Sequence, residues 1–265
     1  MNQEFEQFIS RATEVLEDDE RFLGLAIAGS WVSNEIDEFS DLDLVIVCED
    51  GAVPDLSAMR EIAESLGSLV SSFTGEHVGE PGLLICLFDT GRIVHVDIKF
   101  GTLEVIRNRP YDPVVVWERD SELSNVLAST CATPVAPNPQ WIEDRFWTWV
   151  HYAALRLGRT DLFALVGFLG FIREQVLGPL ALHAGGFLPF GVRRIEEYLP
   201  EYSRRLQETV PAYDANSCYR AVLASIDIYR DLRAHVRDGL VVNEQAEVAS
   251  VRYLKEVASR VHNLA

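Results

Sequence analysis

Gly29-Ser30-Trp31-Val32-Ser33-Asn34-Glu35-Ile36-Asp37-Glu38-Phe39-Ser40-Asp41-Leu42-Asp43 lies between two apolar runs, Leu23 to Ala28 and Leu44 to Val47. The pattern is two strands joined by a polar connection, with a small-residue turn ending the first and two carboxylates opening the second. Side chains two apart on a strand face the same way, so Asp41 and Asp43 share one side while Leu42 and Leu44 turn to the core. Paired carboxylates suit a hard cation. Gly29 allows the backbone to approach a bulky anion, and the Ser30 hydroxyl and neighbouring amides can donate to it. The chemistry implied is a metal site facing a phosphate cradle.

Gly-Ser, ten intervening residues and then Asp-x-Asp at the head of an apolar strand resembles the motif of the nucleotidyltransferase superfamily. Its spacing and flanks are most similar to those of the antibiotic adenylyltransferases, the aminoglycoside-type branch. That family carries a third carboxylate on a later strand, and His95-Val96-Asp97-Ile98-Lys99-Phe100 offers Asp97 in the expected setting. The resemblance covers roughly the first 120 residues in order and spacing; beyond them it is one of general character.

Composition allows this without requiring it. At 265 residues with 48% hydrophobic content, the chain can fill one large core or two ordinary ones. Cys48, Cys86, Cys131 and Cys218 are scattered and never form Cys-x-x-Cys, which points to free thiols and a reduced, cytoplasmic setting. No basic start with an apolar h-region occurs, so no secretory signal is expected. The most apolar run, Leu162 to Ile172, meets Arg173-Glu174 well before the ~20 residues of a membrane span.

The net charge of −18 is unevenly placed. Residues 1–138 hold 8 Lys and Arg against 26 Asp and Glu, whereas residues 139–265 hold 15 against 15. A nucleic acid would be repelled by the first part and a cationic acceptor drawn to it. An acidic surface also simply keeps a protein in solution, so charge alone selects no substrate.

In chain order, Phe5, Phe8, Ile9, Ala12, Val15 and Leu16 predict an amphipathic helix over residues 2–18. Strands are expected at Leu23 to Ala28 and Asp43 to Cys48, with a short helix from Trp31 to Asn34 between them. A helix from Leu56 to Val70 and a Gly/Ser-rich passage from Gly67 to Gly82 follow. Leu83 to Phe88 and Arg92 to Phe100 read as a hairpin turning at Asp89-Thr90-Gly91.

On that last strand His95, Asp97 and Lys99 share a face opposite Val94, Val96, Ile98 and Phe100. Alone, this describes an edge strand with a solvated face; beside the opening motif, Asp97 is read as functional. Lys99 is one of only two lysines among 23 basic residues, and a compact ammonium suits a phosphate. His95 is read as filling the polar face. Trp31 and Ser33 either line a nucleotide pocket or, for Trp31, pack in the core.

Gly101 to Arg109 suggests a short helix and Val114 to Trp117 a strand. Thr133 to Pro139, with three prolines in seven residues, is expected to be a linker. Helical patterns then occupy a stretch beginning near Pro139 and residues 160–182, 192–210, 214–237 and 244–263. Arg193 or Arg194 could meet a phosphate, although salt-bridging spacing favours a surface helix. Glu143 and Asp144 could meet a cationic acceptor or serve as ordinary first-turn acids.

The expected fold is therefore α+β: a nucleotidyltransferase-like mixed sheet with flanking helices over residues 1–132, a linker at 133–139, and a helical substrate-binding domain over 140–265. The resemblance implies Asp41, Asp43 and Asp97 as ligands of two Mg²⁺ ions. Asp97 would complete the second site, act as general base, or do both, while Gly29, Ser30 and Lys99 bind nucleotide. It implies transfer of AMP from ATP to a hydroxyl on a small molecule such as an aminoglycoside or a related antibiotic. The acidic balance would suit a cationic acceptor and disfavours a nucleic acid, and the short apolar run leaves no membrane partner expected. Two alternatives stand beside it: a protein-modifying nucleotidyltransferase of toxin–antitoxin type, and a non-catalytic nucleotide-binding protein keeping the fold.

Overall fold

The computed structural model describes residues 3–32, 36–236 and 239–262. The chain is α+β and divides into two compact units, Met1–Pro134 and Val135–Ala265.

The first unit is built on a six-stranded sheet. Its strands are β1 (Phe22–Ile27), β2 (Leu42–Cys48), β3 (Leu69–Gly75), β4 (Glu80–Asp89), β5 (Ile93–Gly101) and β6 (Val114–Glu118), in the spatial order β3-β4-β5-β2-β1-β6. Neighbours run antiparallel except β2 and β5, which are parallel. Buried residues alternate with more exposed ones along β5, the second half of β4 and the start of β2, the period a sheet needs to present two different faces, whereas β1 is buried almost throughout.

One face is closed by two helices, α1 (Gln3–Glu17) and α2 (Leu56–Leu66). Phe5, Phe8, Ala12 and Leu16 from α1 and Met59, Ala63 and Leu66 from α2 meet Leu42, Leu44, Ile46, Val96, Ile98 and Phe100 from the sheet. On the other face, α3 (Leu103–Arg107) and α4 (Glu122–Ser129) bring Ile106, Leu123 and Val126 against Ala26 and Val47. Asp43 and Asp97 alternate with the first core's residues, so they emerge on the α3/α4 side.

The helix expected over Leu56 to Val70 ends at Leu66, and Val70 belongs to β3. The passage from Gly67 to Gly82 is likewise not merely a connection, since it contains that strand. β3 pairs on one side only, with β4, and Val70 and Phe73 are exposed. An edge strand carrying Ser71 and Ser72 buries too little to show strand periodicity. Of the short helix expected from Trp31 to Asn34, a 3-10 turn occupies Gly29–Trp31; Ser33 and Asn34 lie outside the described residues.

The second unit is all-helical. It comprises α5 (Pro139–Gly158), α6 (Leu162–Ile172), α7 (Gly178–Ala184), α8 (Ile195–Tyr198), α9 (Pro200–Gln207), α10 (Ala215–His235) and α11 (Glu244–His262). Asn138 starts α5 by accepting from the Trp141 amide at 2.9 Å, with Pro139 in the first turn where its missing N–H costs nothing. A π turn at Arg173–Leu177 joins α6 to α7, so the helix continues past Arg173-Glu174, where the apolar run is interrupted. Leu162–Ala184 is one continuous helix of 23 residues, long and apolar enough to cross a membrane by length and composition. Its Leu165, Leu169, Ile172, Val176, Leu177 and Leu180 are nevertheless spent on the helical core.

Glu143 is neither a surface acid nor a first-turn acid. Its side chain is fully buried. It accepts from Tyr229 Oη at 2.6 Å, the Asn243 amide at 2.9 Å, Trp147 Nε1 at 3.0 Å and Arg233 Nη1 at 3.2 Å. Arg233 also pairs with Glu247 at 2.8 Å, so one carboxylate ties α5, α10 and α11 together. Burial would push the Glu143 carboxyl up, but these donors outweigh it and hold the group below the ordinary glutamate range. Asp144, by contrast, accepts from Gln140 on its own helix at 2.8 Å.

Candidate active site on the open sheet face

Parallel pairing of β2 with β5 sets Asp43 directly opposite Asp97, between the pairs Leu42–Val96 and Leu44–Ile98. Paired residues project to the same side, so the two carboxylates stand next to one another, both half-buried. Asp41 immediately precedes β2 and is also half-buried; alternation carries it to the same side as Asp43.

The Gly-Ser turn closes over Asp43 from the end of β1. The Ala28 amide donates to the Asp43 carbonyl at 2.9 Å, which extends the β1–β2 ladder to the turn. Gly29 then adopts φ +66°, and a Cβ built there would lie 1.8 Å from Asp43 Oδ2. Glycine is thus required twice, for a left-handed backbone and for contact with a carboxylate. Ser30 follows, half-buried, within the 3-10 turn. Trp31 packs against the α1 side of the core, its ring 6.4 Å from Phe5, which is a packing role. Ser33 lies outside the described residues.

Lys99 sits two residues beyond Asp97 on the same face, opposite Val45 of β2. Its Nζ is 3.0 Å from Glu80 Oε2, and both side chains are substantially exposed. Such a pair contributes about 0–1 kcal/mol, so the ammonium can exchange Glu80 for another anion at little cost. His95, taken from the sequence as a filler, instead places Nε2 2.8 Å from Asp97 Oδ1. The two-residue spacing puts them on one face, but only the side-chain geometry shows the contact. In the helical unit, Arg194 is bound to Glu197 at 2.8 Å, the salt-bridging arrangement its spacing suggests.

Among the described residues, no group of three or more His, Cys, Asp or Glu side chains is arranged to hold a metal. Mg²⁺ does not need one, because it keeps several waters and binds through one or two carboxylates together with substrate phosphates. Asp43 and Asp97 provide two adjacent hard oxygen ligands, and the Gly29 backbone lies beside one of them. The donor set fits a divalent cation carrying a phosphate.

No protein-family model matches the chain, and no curated protein matches it. Among solved structures it is similar to the crystal structure of an aminoglycoside 6-adenyltransferase from Bacillus subtilis, with 15% identity and a TM-score of 0.44 over 97% of this chain and 99% of that one. At that identity and score the similarity assigns neither an activity nor a substrate.

Proposed function

We propose that this chain is a Mg²⁺-dependent nucleotidyltransferase that moves AMP from ATP to a hydroxyl of a small cationic acceptor, of the aminoglycoside class or a related antibiotic, in the cytoplasm. The observation that carries this reading is the side-by-side placement of Asp43 and Asp97, with the Gly29 backbone against Asp43.

Asp43 and Asp97 are assigned as the ligands already side by side, and Asp41, on the same side just before β2, as a third that would join them once the cation is bound. A divalent cation held there supplies charge neutralisation for the triphosphate and the departing pyrophosphate. The Gly29 and Ser30 backbone and the Ser30 hydroxyl take the distal phosphates, and Lys99 leaves Glu80 to add a positive charge. The acceptor oxygen bonds to the α-phosphorus as the bond to the bridging oxygen breaks, and pyrophosphate departs with the electron pair. The hydroxyl proton passes to Asp97 Oδ2, the oxygen His95 does not engage. The acidic first part of the chain favours a cationic acceptor over a polyanion. The four cysteines are free thiols, which supports a reducing compartment.

The test is to incubate the protein with labelled ATP or GTP, Mg²⁺ and a panel of hydroxylated antibiotics. Pyrophosphate release and the mass gain of the acceptor are then followed. A gain of one AMP on an acceptor is expected; failure to bind either nucleotide with Mg²⁺ at millimolar concentration would refute the enzyme reading.

A further inference from the structure

His95 and Asp97 form a hydrogen-bonded pair whose geometry is set by the strand. Residues two apart on β5 project together, and His95 Nε2 reaches Asp97 Oδ1 at 2.8 Å. The imidazole is 45% exposed and the carboxylate 23%. Opposite His95 on β4 stands Leu87, which offers the ring no polar side chain. On the β2 side the pairing begins at Leu42 with Val96, one residue past His95. Among the described residues, His95 is the one side chain that hydrogen-bonds Asp97.

A carboxylate on an open strand face is otherwise free to turn about two side-chain torsions, and ordering it on binding costs affinity. We propose that His95 is a positioning residue: by donating to Oδ1 it fixes the Asp97 carboxylate and presents Oδ2 to the cation and the acceptor hydroxyl. Both the Nε2-protonated neutral ring and the imidazolium can donate, so the device needs no change of charge. Partners that hold a ligating carboxylate in place commonly matter by 10–100-fold in metal affinity or activity. This inference rests on the nucleotidyl-transfer reading of the site.

The test uses Mn²⁺, which takes the same oxygen ligands as Mg²⁺ and is visible by electron paramagnetic resonance. It is titrated into the full chain in the presence of an ATP analogue with an α,β-methylene bridge. Wild type, His95→Ala, His95→Gln and Asp97→Asn are compared, each with its melting temperature. His95→Ala is expected to weaken Mn²⁺ binding about tenfold or more. His95→Gln, which keeps an N–H donor, should recover most of that loss, with melting temperatures unchanged. Mn²⁺ binding by His95→Ala equal to wild type, while Asp97→Asn loses it, would overturn the positioning role. An equal loss in His95→Gln and His95→Ala would overturn it too, since donation would then not be what matters. Absence of Mn²⁺–nucleotide binding in the wild type would instead bring down the enzyme reading beneath it.

Discussion

Gly29 lies so close to Asp43 that a single added carbon would sit 1.8 Å from the carboxylate oxygen Oδ2. Any side chain at position 29 must therefore move the aspartate or the turn. Gly29→Ala also forces alanine into a left-handed conformation, costing about 1–2 kcal/mol. The variant should melt roughly 2–8 °C lower and lose nucleotide–metal binding altogether. A melting curve with a Mn²⁺ titration checks both; intact binding would show that the Gly29 contact is incidental.

Asp43 and Asp97 sit on a polar, half-exposed face, so isosteric amides there should leave the fold alone. Asp43→Asn and Asp97→Asn are each expected to lower transfer by about 10²-fold or more while the circular dichroism spectrum stays that of the wild type. Chelation of divalent cations should abolish transfer reversibly. Transfer persisting in both variants would show the ligand assignment to be wrong.

Glu143 predicts acid behaviour of the helical unit. Its folded pKa lies below the unfolded one, because the Tyr229, Asn243, Trp147 and Arg233 donors outweigh burial. The stability it contributes is therefore complete above the unfolded glutamate value of about 4.3. It is lost as pH falls through the lower folded value. Glu143→Gln leaves Arg233 without part of its buried counter-charge and should cost about 3 kcal/mol at neutral pH. It should also flatten the acid limb of a stability–pH curve measured by urea unfolding; an unchanged acid limb would refute this account.

Thiol reactivity separates the four cysteines. Burial pushes the Cys48 thiol to about 11 and the Cys86 thiol to about 12, and it raises that of Cys218 as well. Cys131 alone among them is exposed. Titration with a chromogenic disulfide should give one fast thiol per chain, and the rest only on unfolding. Cys131→Ser should remove the fast phase.

Some of this was legible in the chain and some was not, for identifiable reasons. Strict alternation through His95 to Phe100 announces a two-faced strand, and Asp-Leu-Asp-Leu before an apolar run announces another. What alternation cannot give is partnership: β2 pairs with β5 across the intervening β3–β4 hairpin, a non-local choice. β3 escaped because Gly67-Ser68 before it and Ser71-Ser72 within it look like a connection, and Leu66 and Val70 continue the helical spacing of α2. Glu143 escaped for the opposite reason. Its position near a helix start is what a surface acid shows, while its donors Tyr229, Arg233 and Asn243 come from far along the chain.

The single parallel pairing in an otherwise antiparallel sheet also bears on when the protein becomes competent. The β3–β4 and β4–β5 pairs can zip from their short turns, but β2 meets β5 across a helix and a hairpin, and β1 meets β6 across a still longer stretch of chain. Pairings that close such long loops tend to form late. Asp43 and Asp97 thus become neighbours only as the centre of the sheet closes. Partly folded chains would lack the carboxylate pair, so the proposed binding of metal and nucleotide would require the finished first unit.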